Sequence, residues 1–149
     1  MSRIIVLDTG VLGKITKPSY SLESDECKQW VEALIRNGDV VAIPEIVDYE
    51  LRRELLRRNA EAGLRILDQL VEQHYYVKIN SPAMHHAAEL WAWARNRGHL
   101  TAPPDSLDAD VILVAQAQLQ QTPDTPVIIA TTNVKHLAPF IDARVWRDI

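Results

Sequence analysis

Cysteine is almost absent. Cys27 stands alone, so no intrachain disulfide can staple the fold, and its neighbours Asp25, Glu26 and Lys28 include no histidine to activate a nucleophilic thiol. It reads as a free thiol of a reducing compartment. Long apolar runs are missing as well: nothing approaches the roughly 18 residues that a membrane helix needs. Met1-Ser2-Arg3 leads straight into an apolar strand pattern, with no signal-peptide core and cleavage site. Neither a membrane nor export is expected, and the expected location is the cytoplasm. Basic charge is not in excess either. Sixteen Lys and Arg against 20 Asp and Glu leave a formal charge of -4. That excludes a protein that coats nucleic acid through general basicity, but not an enzyme that grips it locally.

Two further absences narrow the chemistry. His85 and His86 are adjacent and so diverge on a helix, and no Cys/His spacing suits zinc. His74, His99 and His136 read as surface or packing residues. Gly10 and Gly13 form neither a complete GxGxxG nor a Walker loop ending in Lys-Ser/Thr, so phosphate cradles of those kinds are disfavoured.

What is present is an alternation of strands and helices in a length that suits one domain, residues 1–149. Residues 3–7, RIIVL, make a short buried strand ending at Asp8 and entering a loop with Gly10 and Gly13. From about Ser24 to Arg36, Trp30, Val31, Leu34 and Ile35 recur at helical spacing before an Asn37-Gly38 stop. VVAIP at 40–44 is a second strand, and the helix-forming stretch after it predicts one or two helices. YYVKI at 75–79 reads as a half-exposed strand, followed by a helix over roughly 82–97 with Ser81 as N-cap and Pro82 in its first position. GHLTAPPDSLD reads as loop, and a largely buried helix resumes from Ala109 or Asp110. PVIIATTN, VKHLAPF and ARVWRDI read as a strand into a polar loop, a short helical turn and a terminal strand. Such alternation predicts an α/β domain with a mainly parallel sheet, because parallel strands need crossover helices.

In an open sheet of this kind, functional groups collect at the carboxyl ends of the strands. Asp8 follows the first strand, Glu45, Asp48 and Glu50 follow the second, and Thr131, Thr132 and Asn133 follow VIIA. Asp105, Asp108 and Asp110 cluster where loop becomes helix. Each has an ordinary structural alternative: a helix cap, a surface ion pair, a turn. Asp8 and Asp110, however, adjoin apolar elements with no obvious basic partner. Two carboxylates about 5 Å apart repel by roughly 3 kcal/mol at an effective dielectric near 20, so such a cluster must protonate or bind a cation. Hard oxygen ligands favour Mg²⁺ or Mn²⁺.

Four segments in order, IIVLDTGVL, AIPEIVDYELRREL, DADVILVAQAQ and IIATTNVKHL, resemble the PIN-domain ribonucleases, which include VapC-type toxins of toxin-antitoxin pairs. The resemblance covers nearly the whole chain. It implies a three-layer α/β/α domain with a central, mainly parallel sheet flanked by helices. It also implies metal-dependent hydrolysis of RNA, with Asp8, Glu50 and Asp110 as catalytic carboxylates and Asp108 and Asn133 as further metal ligands. Thr131 would hold a carboxylate or bound water in place. A cognate antitoxin and a homodimer are implied in the same way. Two departures stand out: Asn133 occupies a place often held by aspartate, and Gly10 one often held by a hydroxyl or amide side chain.

RNA would also need cations near an acidic pocket. LRRELLRR supplies Arg52, Arg53, Arg57 and Arg58; Arg53 and Arg57 share a helix face and are the candidate RNA contacts, the alternative being a solvated face with Glu54 pairing locally. Trp91 and Trp93 cannot share one face, so one should be core and the other surface. Three rival readings compete with this one. Asp8-Thr9-Gly10 matches the aspartic-protease tripeptide, but those enzymes are β-rich and Val11 replaces the following Ser or Thr. A phosphatase using Asp8 would want an acid where Gly10 stands. A catalytically weak or inactive PIN-fold module binding RNA or protein is the remaining alternative.

Overall fold

The computed structural model describes residues 2–98 and 104–149. His99, the 99–103 part of the segment read as loop, and the side chain of Asp105 lie outside the described residues. Five parallel strands form one sheet in the order β3-β2-β1-β4-β5: β1 Ile4–Leu7, β2 Val40–Pro44, β3 Tyr75–Val77, β4 Val127–Thr131 and β5 Ala143–Val145. Among the described residues seven helices flank it: α1 Thr9–Ile15, α2 Leu22–Arg36, α3 Glu45–Arg57, α4 Glu61–Gln73, α5 Ser81–Asn96, α6 Pro104–Gln118 and α7 Val134–Leu137. This is the expected α/β/α architecture. The chain lays down β1, β2 and β3 outward on one side, then returns to place β4 and β5 on the other. The reversal lies between β1 and β4, where diverging connections leave a crevice at the carboxyl ends.

The two central strands are apolar on both faces because helices cover both. Ile5, Val6 and Leu7 of β1 and Val127 to Thr131 of β4 are all buried. Their register pairs Ile4 with Val127 and Leu7 with Ala130, so Asp8 and Thr131 fall side by side where both strands end. Helix boundaries follow local chemistry. Ser21 Oγ accepts from Ser24 N to start α2, and Gly38, at φ 87°, ends it in the left-handed region that glycine tolerates.

Five boundaries differ from the sequence reading. Gly10 and Gly13 do not make a loop: α1 begins directly at Thr9, because Asp8 caps it and Val11, Leu12 and Ile15 bury one stripe. Helix α6 starts at Pro104, so Asp108 and Asp110 lie inside it instead of capping it. Leu107, Val111 and Val114 extend its buried stripe back past the aspartates, and a proline is tolerated in a first turn. Asn80, not Ser81, caps α5, accepting from Ala83 N at 2.9 Å. β3 ends at Val77 and β5 at Val145, where a 3-10 turn over Trp146–Asp148 takes the chain out of the sheet.

One buried amide ties the first turn of the helix that carries Glu50 to the end of β3. Gln116, 1% exposed, donates from Nε2 to Val77 O at 2.7 Å and accepts at Oε1 from Ile46 N at 3.2 Å. Pro44 gives α3 no side-chain cap, so Gln116 satisfies one of its orphan first-turn N–H groups. Cys27 is fully buried and burial pushes its thiol up to about 11, which matches an inert free thiol. Trp93 packs against Phe140 at 5.5 Å between ring centres while Trp91 stays exposed, as their spacing predicts.

At the amino edge of the sheet, Asp39 in the turn before β2 takes Arg3 N and Nε on Oδ1, both at 3.2 Å, and Arg3 Nη2 on Oδ2 at 2.8 Å. Arg3 holds the Asp39 carboxyl below its ordinary value of 3.8. A depressed folded-state value means that the stabilisation is present above the unfolded value and is lost as pH falls through and below it. Asp39→Asn is therefore expected to lower stability by about 1–2 kcal/mol at pH 7 and by much less at pH 3. Urea unfolding at the two pH values checks this, and an equal loss at both would contradict it.

Candidate active site

Asp8 is the first residue beyond β1, and its position follows from strand pairing: Asp8 N donates to Ala130 O at 3.0 Å. Both carboxylate oxygens are engaged. Oδ1 accepts from Thr9 N at 2.7 Å, the cap of α1, and Oδ2 accepts from the Thr131 hydroxyl at 2.6 Å. Thr131 is fully buried, and its Oγ1 accepts in turn from Asn133 N at 2.9 Å. The hydroxyl is thus fixed from behind, and it fixes Asp8.

Glu50 reaches the same place from α3. The Thr9 hydroxyl donates to its Oε1 at 3.0 Å, and Arg53 Nη2 lies 4.0 Å from its Oε2. Burial raises the Glu50 carboxyl; the Thr9 hydrogen bond opposes this, Asp8 adds to it and Arg53 opposes it. Asp110 completes the group from α6. Its Oδ2 is buried with no hydrogen-bond partner, and the nearest cationic candidate is His136 Nδ1 at 3.8 Å. Burial, then the charges of Asp8 and Glu50, push the Asp110 carboxyl up to about 7. Three acids from three separate segments therefore share one electrostatic field, with His136 3.8 Å from Asp110 and Arg53 4.0 Å from Glu50.

The remaining expected residues fall differently. Asn133 is exposed at the rim, its Nδ2 3.0 Å from His136 Nδ1. Asp108 is not brought into the group: two residues along a helix is a turn of about 200°, and its exposed side chain borders an apolar groove with Met84, Trp91 and Val111. Arg53 lies over the Tyr49 ring at 5.0 Å and close to Glu50, while Arg57 is ion-paired to Glu54 on the outer surface of α3. His136, read from sequence as surface or packing, stands beside both Asp110 and Asn133; its place three residues beyond Asn133, at the start of a helical turn, was the available signal.

Gly10 has a specific steric reason. A Cβ there would lie 2.9 Å from the Thr132 hydroxyl oxygen, so the side chain missing at position 10 leaves room for the one at 132.

Does the arrangement suit a divalent cation? Among the described residues no three His, Cys, Asp or Glu side chains are set to hold one ion directly. Magnesium asks for less: it keeps several waters and binds through one or two carboxylates. An unsatisfied buried carboxylate oxygen on Asp110, in the field of two more acids, fits such a cation well.

Among solved structures, the fold is similar to VapBC2 from Rickettsia felis bound to a DNA fragment from their promoter, with 18% identity, a TM-score of 0.70 and coverage of 95% of this chain and 97% of that one. It is also similar to VapBC-1 from nontypeable Haemophilus influenzae, with 17% identity, a TM-score of 0.65 and coverage of 97% and 98%. At these identities the likeness speaks for the fold alone. No curated protein matches the sequence significantly. The family model for the PIN domain matches residues 5–135, a span that holds Asp8, Glu50, Asp110, Thr131 and Asn133, and the chain belongs to the PIN-domain family.

Proposed function

We propose that this protein is a divalent-metal-dependent endoribonuclease that hydrolyses RNA phosphodiester bonds, and that it serves as the toxin of a cytoplasmic toxin-antitoxin pair. The observation that carries the reading is Asp110: a carboxylate with one buried, unsatisfied oxygen, raised to about 7 by burial and then by the charges of Asp8 and Glu50. A bound Mg²⁺ or Mn²⁺ would supply a water of lowered pKa and positive charge beside the phosphate.

In this reading Asp8 and Asp110 hold the ion. The Thr131 hydroxyl keeps Asp8 in one orientation, so the carboxylate is preorganised instead of being ordered at each encounter. Glu50, steadied by Thr9 and raised by burial, is placed to accept a hydrogen bond from the attacking water and draw off its proton. The water oxygen would bond to phosphorus as the bond from phosphorus to the ribose oxygen breaks, and that oxygen would leave by taking a proton from solvent while Glu50 keeps the proton drawn from the attacking water. Asn133 and His136 stand at the rim, where the substrate enters. Asp108 is left out of the proposed ligand set because it faces away. An antitoxin covering the acidic crevice and a homodimeric assembly belong to the same reading and rest on the family resemblance. So does the treatment of residues 1–149 as one PIN-like unit.

Cleavage of single-stranded and structured RNA with Mg²⁺, Mn²⁺ or EDTA, beside Asp8→Asn and Asp110→Asn, tests the proposal. Cleavage should need the ion and fall at least 100-fold in each variant. Activity surviving both substitutions would overturn the metal-carboxylate model. No cleavage together with no divalent-ion binding by calorimetry would favour a PIN-fold binding module in its place.

Asp110 also makes metal-free stability depend on pH. A carboxyl raised in the folded state favours folding while protonated, and that advantage is lost as pH climbs from the unfolded value near 4 through about 7. Metal-free Asp110→Asn, which mimics the protonated form, is expected to be more stable than the parent at pH 8 by on the order of 2–4 kcal/mol, and about equal at pH 4. Saturating Mn²⁺ should stabilise the parent at pH 8 but not the variant. Melting curves read both, and a variant less stable than its parent at pH 8 without metal would refute this account of the site.

A further inference from the structure

Of the two arginines favoured by sequence, Arg53 comes near the acidic crevice and Arg57 does not, while other cations line a separate groove. A groove of about 500 Å³ runs from Gly10 and Leu51, the chain neighbours of Thr9 and Glu50, along α1 and α3 to the start of α4. Its floor is apolar, with Leu51, Leu55 and Gly63; its charged lining is Lys14, Lys17 and Arg58 against one carboxylate, Glu61. This excess of positive charge is local, in a chain whose formal charge is -4.

We infer that this groove holds the single-stranded RNA that flanks the cleaved bond, resting on the ribonuclease reading above, with Lys17 and Arg58 contacting its phosphates. Lys17 is exposed and has no ion-pair partner among the described residues. Arg58 Nε lies 3.7 Å from Glu54 Oε1, a distance an exposed arginine can leave for a phosphate. Lys14 is committed to Glu23 at 2.7 Å and adds field more than contact. The apolar floor, with Leu51 and Leu55, can take the apolar faces of ribose and base. Gly10, Gly13 and Gly63 line the groove, and α4 begins there with no side chain capping its first N–H groups. Charge complementarity thus favours a polyanion, and the start of the groove at Gly10 and Leu51, next in sequence to Thr9 and Glu50, favours the strand being cut. Arg57 has no part in this, since it does not line the groove and is paired outward to Glu54.

The test is the affinity of a fluorescein-labelled 12-nucleotide single-stranded RNA for the full chain carrying Asp8→Asn, which prevents turnover. Lys17→Glu and Arg58→Glu, singly and together, are compared with Lys78→Glu, an equal charge change outside the groove. The double variant should bind at least tenfold more weakly, with a slope of log affinity on log salt shallower by about 1.4, the value for two lost phosphate contacts on a single strand. Lys78→Glu should change affinity less than twofold. Equal weakening by Lys78→Glu, or unchanged affinity in the double variant, overturns the groove; unchanged affinity would leave it to another occupant, such as an acidic segment of a protein partner. With Asp8 restored, the groove variants should raise KM and leave kcat unaltered. Cleavage with an unaltered KM would overturn the groove while the ribonuclease reading stands. Absence of cleavage with the binding losses intact would do the reverse.

Discussion

The site depends on the parallel pairing of β1 with β4. Their register delivers Asp8 and Thr131, 123 residues apart, to the same level at the carboxyl edge, and the 2.6 Å bond between them records how closely the strands must agree. A slip of one residue would turn every side chain of β1 to the opposite layer and carry Asp8 away from its hydroxyl. The pairing is held by burial on both faces, which is why both strands are continuous apolar runs with no alternation. The geometry of the acidic site and core stability are therefore the same constraint at this point of the chain.

A second constraint comes from where the cations are not. Several arginines elsewhere are matched to acids: Arg3 to Asp39, Arg52 to Asp48 and Asp68, Arg57 and Arg58 to Glu54, Arg147 to Glu26. In the crevice Arg53 comes to 4.0 Å from Glu50 but is drawn outward over Tyr49, and His136 stands 3.8 Å from Asp110. Neither gives Asp110 Oδ2 a hydrogen bond. In a medium of reduced dielectric such a group either takes up a proton, as Asp110 does on its way to about 7, or waits for a cation. Neutralising it with lysine or arginine would stabilise the fold and close the position that a metal-dependent reaction needs.

The fold was largely legible because apolar strands and helix caps are local signals. α1 was not, since two glycines in seven residues suggest a loop and only tertiary packing of Val11, Leu12 and Ile15 reverses that. The start of α6 was obscured by two prolines, and with it the phase that turns Asp108 outward while Asp110 points in. Which carboxylate belongs to the crevice is a question of helical phase, and phase cannot be set until the first residue of the helix is known. Arg57 was favoured from its place on the α3 face, although local pairing with Glu54 takes it up. The groove beside α4 could not be read at all: its lining comes from three helices joined only by the fold.

Gly10 shows how a departure from the family pattern can be local and compensated. Its missing side chain reads in sequence as a lost polar group. In three dimensions the vacated volume lies against the Thr132 hydroxyl, one residue beyond Thr131, so a polar oxygen stands where a side chain at position 10 would begin. A Cβ at 10 and Thr132 in its present rotamer exclude each other at 2.9 Å, which couples the end of β1 to the end of β4 a second time. The same glycine opens the mouth of the groove. One absent methyl group thus links the placement of a hydroxyl at the rim to the shape of the path leading away from it, and neither effect is visible until the two strand ends are brought together.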